Sequence, residues 1–329
     1  MVSEKMRVFI TGGTGFVGGN LVRLALQQGY EVKALVRRGS NLANLQGLDI
    51  ELVEGDLNQD MTASMRDCQV LFHVAACYSL WQRDRDLLYR SNVLGTENIL
   101  RCAEAAGIER TVYTSSVAAI GVKENGIASE SYQSPVDKLT GYYKKSKYWA
   151  EQKALAAAKA GQDIVIVNPT TPIGAWDIKP TPTGDIIQRF LQRRMPFYVD
   201  TGLNLIDVSD VAQGHLLALE KGLSGDRYIL GNQNLTLKQI LDKLATITGM
   251  SAPKSTIPYA IPLVVAWIEE KILAPLGRKP TVAIDGVKMS RQKMFYNSSK
   301  AIAELGLPQS SVDNAIARAV TWFQQMADG

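Results

Sequence analysis

The sequence predicts an α/β protein: a doubly wound parallel sheet of about seven strands, with a smaller, discontinuous, mostly helical second unit. Three observations predict it. Short β-branched runs alternate with helical periodicities from Arg7 to Leu230, a pattern that gives parallel strands with right-handed crossovers. A glycine-rich turn joins the first run to the first helical segment, and such sheets bind ligands at the carboxyl ends of their strands. The chain has 329 residues, enough for about two domains at roughly 150 residues each.

Arg7 to Thr11 (RVFIT) is the first strand, and it runs into Gly12-Gly13-Thr14-Gly15-Phe16-Val17-Gly18. NLVRLALQQG follows, with Leu21, Leu24 and Ala25 in helical spacing and Gly29 as the stop. Glycines between a strand and a helix have the context of a dinucleotide fingerprint. Gly12 allows the tight turn, Gly15 lets the backbone approach a pyrophosphate, and Gly18 lets helix and strand pack closely. The helix N-terminus then offers N–H groups and partial positive charge to the phosphates. The spacing is G-x-x-G-x-x-G rather than the commoner G-x-G-x-x-G.

The second strand, Glu31 to Val36, ends at Arg37, with Ser40 close by. An NAD site places a carboxylate there for the ribose 2′-hydroxyl. A guanidinium instead matches a 2′-phosphate bidentately, so NADP(H) is favoured and NAD(H) is the alternative. Asp49 to Val53 is a third strand, and Gln69 to Ala75 a fourth, apolar enough for burial on both faces. A helix covers Asp86 to Ala106. Arg110 to Ser116, Asp163 to Val167 and Arg227 to Leu230 complete the sheet. Beyond Gly231 the patterns are helical: Thr236 with Gln239 forms a capping box, and Ser311 to Met326 repeats Ala315, Ile316, Val320 and Phe323 on one face. The dinucleotide-binding unit is expected to be residues 1–169 plus 206–231, and a substrate-binding unit residues 170–205 plus 232–329.

Tyr143 and Lys147 stand four apart on a helical segment that stops at Gly161, so phenol and ammonium share one face. A neighbouring Lys⁺ stabilises a phenolate and lowers the tyrosine pKa, which suits proton transfer near neutral pH. Ser116, at the end of the fifth strand, is placed to hold a substrate oxygen. Tyr142 is the alternative phenol, but its i+4 partner is Ser146.

Composition narrows the function. The 36 Lys+Arg against 32 Asp+Glu leave a net charge of only +4, and no basic stripe interleaved with aromatics marks a nucleic-acid surface. Cys68, Cys77 and Cys102 have no C-x-x-C spacing and suit a reducing compartment. Two histidines and no cysteine cluster give no expectation of a metal site. His73 is expected to be a satisfied core histidine, and His215 is open to the same reading. No signal peptide is legible, and a cytoplasmic protein is expected. The apolar stretch from Ile257 to Ile268 is broken by Pro258 and Pro262 and closed by Glu269, Glu270 and Lys271, and it is too short to span a bilayer. The segment from Ile257 to Leu276, with Trp267, is expected to be a buried helix, the alternative being a lid that meets a greasy substrate or a membrane.

With these residues in place, the sequence resembles the extended short-chain dehydrogenase/reductase family, whose members have a Rossmann-type sheet. TGGTGFVG, GDL (Gly55 to Leu57), FHVAA (Phe72 to Ala76), NVLGT (Asn92 to Thr96), YTSS (Tyr113 to Ser116), YYKKSK and VNPTTPIG (Val167 to Gly174) carry the resemblance. It implies catalytic roles for Ser116, Tyr143 and Lys147, and a supporting role for Asn92. It implies adenine contacts at Asp56 and Leu57 and a cofactor path along Ala75 and Ala76. Asn168 and Pro169 flank the nicotinamide in the same pattern. The cofactor set then comprises Gly12, Thr14, Gly15, Phe16, Val17, Gly18, Arg37, Ser40, Asp56, Leu57, Ala75, Ala76, Ser115, Tyr143, Lys147, Asn168, Pro169 and Thr170. The substrate set is Tyr78, Ser116, Tyr143 and Lys179. The VNP and YTSS segments look like the dihydroflavonol-reductase and cinnamoyl-CoA-reductase branch, whereas residues 171–184 with 198–220 most resemble bacterial hopanoid-associated sugar epimerases. Ile120 precedes Gly121 where nucleotide-sugar epimerases usually carry a tyrosine, and no lysine follows Arg37 as in the plant reductases.

Three functions are therefore in play. One is an NADP(H)-dependent reductase of a ketone or aldehyde. Another is a nucleotide-sugar epimerase, with Lys179, Arg189, Arg193 and Arg194 available for a diphosphate. The third is a non-catalytic cofactor sensor. The expected partners are a small-molecule carbonyl or nucleotide sugar and, as an option, a second copy in a homodimer.

Overall fold

The computed structural model describes residues 5–274 and 282–328. The chain begins β1 (Arg7–Thr11), α1 (Phe16–Gln27), β2 (Glu31–Val36), β3 (Glu51–Glu54), α2 (Thr62–Met65), β4 (Val70–His73), α3 (Arg85–Leu88) and α4 (Gly95–Ala106). It continues through β5 (Arg110–Thr114), α5 (Val117–Ile120), α6 (Gly141–Lys159), β6 (Ile164–Pro169), β7 (Thr171–Ile173), α7 (Pro182–Leu191), β8 (Phe197–Tyr198), β9 (Gly202–Asp207) and α8 (Val208–Lys221). It closes with β10 (Arg227–Leu230), β11 (Gln233–Thr236), α9 (Leu237–Thr248), β12 (Ser255–Thr256), α10 (Ala260–Ile268), α11 (Ile284–Met289), β13 (Lys293–Met294) and α12 (Val312–Asp328).

Seven strands form one sheet in the order β10-β6-β5-β4-β1-β2-β3, and every pairing in it is parallel. The chain moves outward from β1 through β2 and β3, then crosses back to β4 on the other side. Such a switch point opens a crevice at the carboxyl ends of the strands. Side-chain alternation explains why both faces are covered. Val8, Ile10, Val112, Val165 and Val167 join the core under α1 and α8. Phe9 packs with Met65, Ile99 and Cys102 on the opposite face, as Tyr113, Ile164 and Ile166 do with Ala150 and Ala154. Strands buried on both sides read as continuous apolar runs, which is why they are legible in the sequence.

The helices of the second half are joined by a sheet of four strands that periodicity does not announce. Its central strand β9 pairs with β11 in antiparallel and with β7 and β13 in parallel. The capping box at Thr236 and Gln239 is present, and Ala315, Ile316, Val320 and Phe323 of α12 are buried as the spacing requires. The segment from Ile257 corrects the expectation of a buried helix. It folds as α10 and a further turn over Glu269–Leu273, and only Ala266 of α10 is buried. Leu276, at the end of that stretch, lies outside the described residues.

Both histidines are core groups. His73 Nδ1 is 2.7 Å from Thr11 Oγ1, and its Nε2 is 3.0 Å from Thr96 Oγ1. His215 Nδ1 faces the Val211 carbonyl at 2.7 Å and so carries the proton, leaving Nε2 to accept from Thr114 Oγ1 at 2.8 Å. Burial lowers His73 to about 3, with the Lys147 charge adding to it, and burial lowers His215 to about 4. A histidine depressed in the folded state contributes stability above its unfolded pKa of about 6.5, and that stability is lost as pH falls toward the folded value. Going from pH 7 to pH 5 should therefore cost about 2 kcal/mol of unfolding free energy per histidine. Urea unfolding at the two pH values should show this fall, and His215→Asn should flatten it by one histidine's share. An identical pH slope in the variant would contradict the assignment.

Candidate active site

The glycine turn lies at the switch point. Gly12 adopts φ +76°, and the Gly15 N–H donates to its carbonyl at 2.9 Å. A Cβ on Gly12 would stand 2.6 Å from the Ala75 nitrogen, and one on Gly18 would stand 2.2 Å from the Gly12 oxygen. Both are contacts with backbone, so neither position accepts a side chain without moving the turn. Gly15 begins α1 with no side-chain cap and no acidic residue in the first turn, so the N–H groups and positive helix end stay available. Asn44, almost wholly buried, donates its amide to the carbonyls of Thr14 (3.1 Å) and Gly15 (3.2 Å). Sequence patterns give Asn44 no role, since only a contact 30 residues away reveals one.

At the end of β2, Arg37 to Ser40 forms a turn closed by Ser40 N–H donating to Arg37 O at 3.0 Å, with Gly39 at φ +75°. Arg37 is exposed, and among the described residues its guanidinium makes no hydrogen bond or ion pair. Asp56 accepts from the Asn58 backbone and side-chain amide, both at 3.0 Å. These bonds, then the Arg37 and Arg90 charges, hold its carboxyl below the ordinary range. Leu57 follows, its carbonyl accepting from Asn98 at 2.7 Å.

Ser115, Ser116, Tyr143 and Lys147 converge beyond the end of β5. The strand stops at Thr114, two residues earlier than expected, because Ser116 is the N-cap of α5 and accepts from Ala118 N–H at 3.1 Å. Lys147, 2% exposed, donates its ammonium to the Thr114 carbonyl at 3.0 Å. Burial lowers its pKa to about 8, while the Glu151 charge raises it. Tyr143 overturns one expectation. Burial pushes its phenol up to about 12, and hydrogen bonding with Ser116 only partly offsets this. The ammonium is committed to Thr114, so desolvation outweighs the lowering expected from the i+4 lysine. The phenol is therefore protonated at neutral pH. Tyr142 lies on the outer face of α6 with Lys145 beside its ring.

Other expected residues line the same crevice. The Tyr78 ring stands edge-on to Tyr143 at 4.7 Å between centroids. Asn92 holds Cys77 by both backbone groups (2.7 and 2.9 Å) and donates to Ser146 Oγ at 2.9 Å, which itself donates to the Tyr143 carbonyl. Ala75 and Ala76 lie between Gly12 and Cys77, and the Ala75 N–H donates to Thr11 Oγ1 at 3.2 Å. Arg37 and Lys179 lie within electrostatic reach of the Cys77 thiol; Lys179 is exposed. Pro169 pairs with Leu230 across the sheet, and Thr170 donates to the Leu230 carbonyl. Arg189 is spent on a surface pair with Asp185 at 2.7 Å.

One further residue belongs to the site without any sequence motif to mark it. Glu151 continues the Tyr143–Lys147 stripe by another four residues and has no exposed side-chain surface. It accepts from Arg227 at 3.0 Å and from Asn168 Nδ2 at 2.6 Å, and the same Asn168 amide donates to the Ser116 carbonyl at 3.1 Å. Its i+8 spacing from Tyr143 is readable in the chain, but its partners on β6 and β10 are not. Among the described residues Ser115 Oγ and Asn168 Oδ1 are buried without a hydrogen-bond partner, where buried polar atoms are ordinarily paired.

A parallel sheet with a glycine turn at its switch point, uncapped helix N–H groups and orphaned polar atoms beyond β5 fits a bound dinucleotide. The chain belongs to the NAD dependent epimerase/dehydratase family, which matches residues 8–231, and is thus an NAD(P)-dependent enzyme of the short-chain dehydrogenase/reductase type. It is 68% identical over 322 residues to a Synechocystis sp. protein described as "Putative dihydroflavonol 4-reductase", covering 96% of this chain and 94% of that one. It is 33% identical to the sterol demethylase protein B of Methylococcus capsulatus, over 97% of this chain and 99% of that protein. The crystal structure of gox2253 superposes with a TM-score of 0.86 at 38% identity, covering 97% and 98% of the two chains.

Glu151→Gln should cost about 3 kcal/mol of stability, because it leaves the Arg227 guanidinium without its buried anion. Adding Arg227→Met should recover part of the loss in urea unfolding. A single-variant loss below about 1 kcal/mol would place the pair with weak surface bridges.

Proposed function

We propose that the protein is an NADP(H)-dependent reductase of a ketone or aldehyde. The observation that carries the reading is the half-buried Tyr143, whose phenol is hydrogen-bonded with Ser116, kept in its protonated form by desolvation, and one helical turn from Lys147 on α6. Carbonyl reduction places negative charge on oxygen, and a nearby neutral acid meets that need. The bound dinucleotide supplies the hydride. Ser116 orients the substrate oxygen and Tyr143 gives it a proton. Lys147 holds the cofactor ribose and supports the phenolate left behind. Glycines 12, 15 and 18 hold the pyrophosphate, and Arg37 and Ser40 take the 2′-phosphate. Asp56, Leu57, Ala75, Ala76, Asn168, Pro169 and Thr170 complete the cofactor path. Residues 1–169 with 206–231 bind the dinucleotide in this reading, while residues 170–205 with 232–329 choose the substrate. The 68% identity to a protein described as a reductase supports it.

The second reading is a nucleotide-sugar epimerase that removes and returns a hydride with the same residues. The exposed Arg193, Arg194 and Lys179 favour it, as sites for a diphosphate. Ile120 in place of the epimerase tyrosine and the Arg189–Asp185 pair count against it. Mass spectrometry of freshly purified protein separates the two: tightly retained NAD⁺ belongs to the epimerase, an exchangeable NADPH site to the reductase.

NADPH should bind more tightly than NADH, and Arg37→Ala should remove about 1.5–3 kcal/mol of that preference, the worth of a charge-assisted bond. Titration of both cofactors into both proteins measures it, and equal affinities in the wild type would sink the assignment.

Tyr143→Phe should lower turnover by about 10²–10⁴ while leaving cofactor affinity nearly intact. Lys147→Ala should reduce both, and Tyr142→Phe should change little. An inactive Tyr142→Phe beside an active Tyr143→Phe would reverse the proposed mechanism.

A further inference from the structure

Helix α10 is apolar on two opposite sides, and among the described residues only one of them has a partner. Tyr259, Leu263 and Ala266 turn inward onto Val282, Ile284 and Val287, and Glu270 on the same side is buried, accepting from the Ile284 N–H at 2.7 Å. Ile261, Val264, Val265, Ile268 and Ile272 recur at i, i+3, i+4, i+7 and i+11, a spacing that aligns them in one stripe. All five are exposed, by 39 to 55%, and Trp267 at the stripe's edge is 52% exposed. Contiguous apolar surface of this kind marks an interaction site.

The charges in the same stretch of chain point to what covers it. Lys254, Lys271, Lys288, Arg291 and Lys293 are exposed in the same stretch of chain. Its acidic residues are turned inward: Glu269 accepts from the Val282 N–H at 2.8 Å, and Glu270 and Asp285 are buried. Lys271, three residues beyond Ile268, sets a cation next to an apolar ridge that carries a tryptophan, and the exposed charge of this stretch of chain is positive, although Arg291 lies over the Tyr259 ring and Lys293 is answered by Asp200 at 3.8 Å. A helix with this make-up lies in the plane of a bilayer interface, with its apolar side among acyl chains and its cations among anionic headgroups. No helix among the described residues is long and apolar enough to cross a membrane.

We propose that α10 is a membrane-surface anchor, which seats the protein on anionic lipid through Ile261, Val264, Val265, Trp267, Ile268 and Ile272. This does not depend on the reductase reading, because the surface needs neither cofactor nor substrate. The test is co-sedimentation of the full chain with phosphatidylcholine vesicles, with and without phosphatidylglycerol. The wild type should partition onto the anionic vesicles, and less so as salt rises. Val264→Glu with Ile268→Glu should weaken this roughly tenfold or more, with circular dichroism and NADPH binding unchanged. Lys271→Glu with Lys288→Glu, which spares the ridge, should remove the preference for anionic over neutral vesicles. Wild-type protein that ignores both vesicle types would overturn the proposal. So would a Val264/Ile268 double variant that binds like wild type, or one whose only change is the loss of a dimer in sedimentation velocity, which would make the ridge a contact between two copies.

Discussion

A carboxylate without exposed surface stands at the meeting point of three elements. Glu151 on α6 answers Arg227 on β10 and Asn168 on β6, and Asn168 in turn holds the carbonyl of Ser116. Removing a carboxylate from water is costly, and only good geometry and further hydrogen bonds offset that. Arg227 is satisfied on its other sides by Gln133 and the Glu130 carbonyl, so few alternative arrangements leave all these groups paired. That requirement sets the rotation of α6 about its axis, and with it the direction in which Tyr143 and Lys147 point.

The second constraint is steric. The turn after β1 presses so closely on the chain leaving β4 at Gly12, and on the start of α1 at Gly18, that neither glycine has room for a Cβ. The crevice at the switch point is thus bounded by backbone on one side and by α6 on the other. Between them the buried groups are biased toward their uncharged forms. Desolvation pushes the Tyr143 phenol up and the Lys147 ammonium down. For the lysine the Glu151 charge works against that bias and raises its pKa again.

The rest of the molecule shows the same division between satisfied interior and committed exterior. His73 and His215, inside the sheet layers, have partners at both ring nitrogens and tie the layers together. Helix α10 departs from this: Ala266 and Leu263 turn inward, while Ile261, Val264, Val265 and Ile268 stay exposed where an ordinary surface helix carries polar residues.

Local chemistry in the sequence determined much of this. Strands buried on both faces must be apolar runs, a tight strand–helix turn must be glycine, and residues four apart on a helix must share a face. For that reason β1, α1, the glycine turn and the Tyr143–Lys147 pair are legible in the sequence by itself. Whatever depends on partners distant in the chain is not. Glu151 is an unremarkable helix residue until β6 and β10 bring it Asn168 and Arg227, and Asn44 is an ordinary loop residue until α1 docks beside it. Spacing gives the Tyr143 shift the wrong direction, because it reveals the neighbouring charge but not the depth of burial or the carbonyl that claims the ammonium. The apolar run of α10 reads as core because composition says only that a surface is greasy, and tertiary packing alone decides which side of it is covered.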